Sequence, residues 1–171
     1  MPSLLQKIEP IMYLPLKRGK TFKVVFSNWM MKRIARIQKS VLTNYESGGV
    51  LFGVIRPGEL TISFATPAYP DDKRSKTEFV RRDKRHLKVL DSVQRRFGGT
   101  IGYLGEWHSH PESVPHPSYV DKKGWNAVEK KSGKPIVFLI SLLHQLLFYR
   151  CFCRNTVHFH LMRCSDLSSA Q

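Results

Sequence analysis

The sequence predicts an α+β domain, or a three-layer α/β sandwich with mixed strand pairing, on three observations. Short segments with alternating or continuous apolar character recur along the chain, rich in Val, Ile, Phe and Leu. Two or three other segments carry apolar residues at spacings of three and four, as helices with one buried face do. The strands group around those helices instead of alternating one for one with them, and no internal repeat is visible.

In chain order, residues 1–20 read as an N-terminal segment, 21–164 as the folded domain and 165–171 as a frayed tail. The β-branched alternation of TFKVVFS suits a strand over 21–27. Asn28 is expected to cap a helix through Met31, Ile34, Ile37 and Val41. After Glu46 and two glycines, residues 50–55 read as a buried strand, and a turn at Pro57-Gly58 returns the chain as a second strand over 60–66. A loop fills 67–76. A helix is expected from Asp83, with His86, Leu87, Leu90, Val93 and Phe97 on its buried stripe and Gly98-Gly99 as its stop. Residues 100–107 form a strand that delivers His108 and His110 at its end, and a proline-bounded loop covers 112–117. Ser118 caps a helix over 119–131 whose first turn carries Asp121. Strands over 135–142, 146–153 and 157–163 complete the domain.

Composition sets the broad class. Apolar residues make up 42% of 171, enough for a core, which argues against disorder despite the heavy charge. The opening residues are interrupted by Glu9, Pro10 and Pro15, so no signal peptide is read, and no apolar run approaches the roughly 20 residues of a membrane span. A soluble, cytoplasmic protein is expected. Cys151 and Cys153 alternate on a strand without metal-knuckle spacing and read as core residues and not as ligands, and with Cys164 they make an odd set that suggests no secreted disulfide framework. Twenty-eight Lys and Arg against thirteen Asp and Glu give a net charge of +15, clustered at 73–76, 81–85 and 95–96. Three readings of that charge stand: a solvated basic face, an acidic protein partner, or nucleic acid.

The chemistry concentrates in His108-Ser109-His110-Pro111 and, after the proline loop, Ser118-Tyr119-Val120-Asp121. Residues two apart on a strand point the same way, so both imidazoles can face one point, and Asp121 can add a carboxylate from the following helix. Two histidines and one carboxylate leave a fourth tetrahedral position for water, the layout of a catalytic zinc site. The competing reading is a satisfied histidine pair beside a plain Ser-x-x-Asp helix cap.

With Glu46 upstream in Glu-x-Gly-Gly-x-Leu-x-Gly, the sequence resembles the JAMM (MPN-type) metalloprotease family from about residue 28 to residue 134. The resemblance implies a cytidine-deaminase-like three-layer sandwich and hydrolysis of isopeptide bonds at the C-terminus of a conjugated protein. It also implies one catalytic zinc per chain on His108, His110 and Asp121. Glu46 would be the general base and Ser118 the oxyanion donor, while Ser109 and Pro111 receive no chemical step. The stretch GYLGEWHSHPE at 102–112 is further similar to the compact bacterial group encoded in CBASS operons. That likeness implies as substrate a cyclic-oligonucleotide synthase (a CD-NTase) joined to other proteins, with an E1/E2-like ligase as a further partner. The alternative within the family is a peptidase for another ubiquitin-like or sulfur-carrier protein, and outside it a nucleic-acid-binding module.

Trp107 reads as core or groove wall, Glu106 receives no role, and His116 reads as a solvated loop residue. His144, His158 and His160 lie far along the chain, the last two as strand-face residues. Tyr103 or Tyr119 is a candidate to orient a ligand through its hydroxyl.

Overall fold

The structure, a computed structural model, describes residues 11–15, 21–40, 45–111, 117–132, 136–141, 145–152 and 156–163. Eight of its strands form one mixed sheet. Their ranges are β1 (Ile11–Pro15), β2 (Thr21–Phe26), β3 (Gly48–Arg56), β4 (Glu59–Ala65), β7 (Gly102–Ser109), β8 (Ile136–Ser141), β9 (Gln145–Phe152) and β10 (Thr156–Arg163). They lie in the order β1-β2-β4-β3-β7-β8-β9-β10. The β2–β4 and β7–β8 pairs are parallel and the others antiparallel. A two-stranded hairpin, β5 (Lys73–Arg74) and β6 (Phe79–Val80), stands apart from this sheet.

Alternation along the strands builds two cores. Helix α1 (Asn28–Ser40) buries Met30, Met31 and Ile34 on one face of the sheet, against Leu51, Leu104, Trp107 and Leu139 among others. On the opposite face, α2 (Arg85–Arg96) lays Val89, Leu90 and Val93 on Val50 and Phe52. Beside it, α3 (Tyr119–Ser132) packs Trp125 on Ile136, Phe138 and Ile140. Each fully buried side chain of this size contributes about 1.5–3 kcal/mol. One helix below the sheet and two above make the three layers that the sequence predicts.

Several local expectations are corrected. Ser27 caps α1, its Oγ accepting from Met30 N at 3.4 Å, while Asn28 is already helical. The N-terminal segment contributes strand β1, paired with β2, and the 67–76 loop contains β5. On α2, Leu87 is exposed and Val89 takes its place in the core. The expected stop holds: Gly98 and Gly99 have φ of 59° and 76°, which glycine adopts without strain. Strand β7 runs two residues beyond the expected end and so includes His108. Cys153, Cys164, His116 and His144 lie outside the described residues, as do the side chains of Cys151, His158 and His160. Among the described residues no helix is long and apolar enough to cross a membrane.

Candidate metal centre

Strand β7 does not keep a simple alternation. Leu104 and Trp107, three residues apart, both face α1, because the pairing with β3 slips where Gly105 opposes Leu51 and Tyr103 opposes Phe52. This bulge leaves Tyr103, Glu106 and His108 on the side of α2 and α3. A Cβ on Gly105 would lie 1.8 Å from Val137 O of the parallel neighbour β8, so the strand approaches β8 there only as glycine. Beyond the bulge His108 and His110 share a face. His110 N donates to Ser141 O at 3.1 Å, which continues the β7–β8 ladder past the strand end.

The two Nε2 atoms meet at 3.0 Å. Asp121, in the first turn of α3, brings Oδ1 to 3.3 Å from His108 Nε2 and Oδ2 to 3.4 Å from His110 Nε2. Ligands on a tetrahedral zinc at about 2.0–2.1 Å stand about 3.3 Å from one another, so these three separations match the edges of such a site. His108 and His110 are buried and Asp121 is half-buried. Burial alone would raise the Asp121 carboxyl, but the hydrogen bonds of His108 and His110, the charge of His108 and the Ser118 donor outweigh it, holding the group far below the usual carboxylate range. Nitrogen lone pairs and carboxylate oxygens converging on one point are the donor set of a borderline metal such as zinc.

Glu46 is also buried, and a carboxylate oxygen of Glu46, a ring nitrogen of His108 and a ring nitrogen of His110 all lie within 4.8 Å of one another. Its Oε1 is 3.9 Å from His110 Nε2, farther than the Asp121 oxygens. The Asp121 carboxylate therefore stands nearer to His110 Nε2 than Glu46 does, and Glu46 lies one step back. The segment before β3 carries Glu46 to this place because glycines follow it: a Cβ on Gly48 would meet Trp107 O at 2.4 Å, and one on Gly49 would meet Thr66 O at 2.1 Å.

Ser118 and Asp121 form a reciprocal helix cap. Asp121 N donates to Ser118 Oγ at 3.1 Å, and Ser118 N and Oγ both donate to Asp121 Oδ2 at 2.7 Å. The carboxylate that meets the two imidazoles is itself part of the cap, so the helix start also aims it. Ser109, to which the sequence assigns no step, proves structural: its Oγ accepts from Ser47 N at 2.9 Å and its N donates to Ser47 O at 2.6 Å, fastening the Glu46 segment to β7.

Trp107 is core, fully buried with Nε1 donating to Thr66 O at 2.8 Å. Glu106 gains a role: it accepts from Tyr103 OH at 3.2 Å and pairs with Arg81 at 3.1 Å. The Tyr103 hydroxyl is thus turned to Glu106 and not to a metal ligand, and Tyr119 is 80% exposed. The basic clusters are partly neutralised, Lys73 by Glu78, Arg81 by Glu106, Arg85 by Asp83 and Arg95 by Asp91. The histidine that the sequence places on an apolar stripe is instead polar and enclosed. His86 has no exposed surface, with Nδ1 2.7 Å from Thr66 Oγ1 and Nε2 2.8 Å from Asp72 Oδ2. No sequence pattern marks that trio, since its members come from three separate segments.

A three-layer mixed sandwich with a His-x-His strand end and a capped aspartate defines a class, and comparison with known proteins places the chain in it. A model of the prokaryotic homologs of the JAB domain (Prok-JAB) matches residues 30–152, and the chain belongs to that family. A protein of Escherichia coli named as a CD-NTase/cGAS isopeptidase is 34% identical over 117 residues, covering 68% of this chain and 74% of that one. Proteins of the same name from Pseudomonas aeruginosa and Vibrio cholerae are 37% identical over 86 residues and 38% over 80. Those two matches span about half of each chain, 50% and 47% of this one and 54% and 51% of the relatives. A solution structure of a Desulfitobacterium hafniense protein shares the fold, with a TM-score of 0.59 at 20% identity over 80% of this chain and 89% of that one.

Proposed function

We propose that the protein is a zinc-dependent isopeptidase that frees a CD-NTase from proteins joined to its C-terminal carboxylate. The observation that carries this reading is the convergence of His108 Nε2, His110 Nε2 and the Asp121 carboxylate at 3.0–3.4 Å, with Glu46 just behind. Family membership supports the hydrolase class, and the names of the curated relatives support the substrate.

His108, His110 and Asp121 would hold one zinc ion, which when bound acidifies water toward a pKa of about 7 and polarises a carbonyl. Glu46 takes a proton from the attacking water as the water oxygen bonds to the isopeptide carbonyl carbon. Ser118 Oγ turns from Asp121 toward the carbonyl oxygen as negative charge gathers there. The carbon–nitrogen bond then breaks, and Glu46 returns the proton to the leaving lysine amine. The products are a free C-terminal carboxylate and an unmodified lysine. The net charge of +15 suits an acidic substrate surface.

The test is to incubate the zinc-loaded protein with a conjugate between a CD-NTase C-terminus and a lysine of a target protein. Free CD-NTase should appear with the wild type and fail to appear with Glu46→Gln, which should still bind one zinc. Intact conjugate with both proteins sinks the substrate assignment. Near-normal turnover by Glu46→Gln removes the residue as base.

A further inference from the structure

Glu46 belongs to no helix or strand, yet its main chain is held on every side. Its N–H donates to Ser75 O at 2.7 Å, and its carbonyl accepts from Arg74 Nε at 2.8 Å. Both partners belong to the β5–β6 hairpin and its turn. The next residue, Ser47, exchanges two bonds with Ser109 on β7. The peptide between Glu46 and Ser47 is therefore pinned between the hairpin and the strand that carries His108.

The hairpin is itself firmly rooted. Ser75 N donates to Glu78 O at 2.9 Å, and Lys73 pairs with Glu78 at 2.6 Å. Just before β5, buried Asp72 accepts from the main-chain N–H groups of Tyr69, Arg82 and Asp83 and meets His86 at 2.8 Å. Phe79 of β6 lies against Gly48, leaving no room for a Cβ there. Rigid support of this kind is what a general base requires, because a displacement of about 1 Å at a reacting group costs about 10²-fold in rate.

We propose that Arg74 is a positioning residue for Glu46. Its Nε–H fixes the Glu46 carbonyl, and through the peptide plane sets where the Glu46 carboxylate stands relative to His108 and His110. This role rests on the reading of Glu46 as the base. It depends on a hydrogen-bond donor at the fourth atom of the side chain and not on the guanidinium charge, and that distinction makes it testable. Glutamine carries a donor nitrogen at the same place along its chain as Arg Nε, without charge. Methionine has similar length and no donor.

The experiment compares wild type, Arg74→Met and Arg74→Gln on the full chain, loaded with zinc, with the CD-NTase conjugate as substrate. Arg74→Met should lower kcat by about tenfold to hundredfold with KM within about twofold. Arg74→Gln should restore kcat to within about threefold of wild type. Zinc content should stay at one per chain in all three. Amide hydrogen exchange over residues 45–50 should quicken in Arg74→Met and return to the wild-type rate in Arg74→Gln. Wild-type turnover by Arg74→Met overturns the inference. So does equal impairment of both variants, which would assign the effect to charge or to general folding, and so does loss of zinc from Arg74→Met. If the wild type binds zinc and leaves the conjugate intact, the proposed function fails; the exchange rates then decide separately whether Arg74 holds the segment.

Discussion

Two clusters in this molecule use the same side-chain types, histidine with carboxylate and serine or threonine, and they are built to opposite ends. In the Thr66–His86–Asp72 cluster each ring nitrogen meets its own partner on a different side, and the Thr66 hydroxyl also accepts from Val50 N at 2.8 Å. Donors match acceptors, and all three side chains are buried. In the His108–His110–Asp121 cluster the nitrogens and oxygens converge on one point, where two imidazoles and a carboxylate cannot all satisfy one another without a proton or a cation between them. The first cluster has closed its hydrogen bonds and is structural. The second leaves them aimed at a common centre, which marks a site.

The largest expected effect separates the two clusters directly. His108→Ala or Asp121→Ala should take zinc content from about one per chain to almost none and abolish turnover, since each removes a ligand. Metal analysis and the conjugate assay measure both, and full zinc occupancy in either variant would break the contrast. At the closed cluster, Asp72→Asn or His86→Leu should cost about 3 kcal/mol of stability in urea unfolding while zinc content stays at one per chain.

The closed cluster should also respond to acid. Burial works to raise the Asp72 carboxyl, but the N–H groups of Tyr69, Asp83 and Arg82 and the His86 ring outweigh it and lower the group from its ordinary 3.8. Its stabilising contribution is thus present above that value and lost as pH falls below it. The stability gap between wild type and Asp72→Asn should hold steady above that value and narrow as pH falls below it. A gap independent of pH means that Asp72 acts by shape alone. The smallest effect is expected at Ser118. Ser118→Ala should slow turnover by about 10²-fold and lower stability by about 1 kcal/mol with zinc retained. A loss of stability with an unchanged rate leaves Ser118 a helix cap only.

The convergence of His108, His110 and Asp121 is legible because its geometry is local: a strand end aligns two histidines, and a helix cap marks the aspartate. The layers are legible for the same reason, in strand alternation and helical stripes. What escapes are contacts between distant segments. Arg74 reaches Glu46 across 28 positions, from strands of two residues each that no periodicity can reveal. Leu87 and Val89 are both apolar near the start of α2, and only packing on β3 decides between them. His86 looks like part of an apolar stripe until Thr66 and Asp72 fold over it. Ser109 looks idle until Ser47 is laid beside it.

The bulge at Leu104–Gly105 bears on how this chain tolerates change in length. A strand has two faces, so one residue more or less upstream of His108 turns everything after it over. At the bulge that rule fails: removing Gly105 would take out the extra residue, restore regular alternation between Tyr103 and Glu106, and leave both imidazoles on the face that looks toward Asp121. A single-codon deletion at the bulge can therefore be absorbed, whereas an insertion between Glu106 and His108 would turn the imidazoles toward the α1 core. Related chains that keep this arrangement should therefore change the length of the strand at Leu104–Gly105 and not between Glu106 and His108.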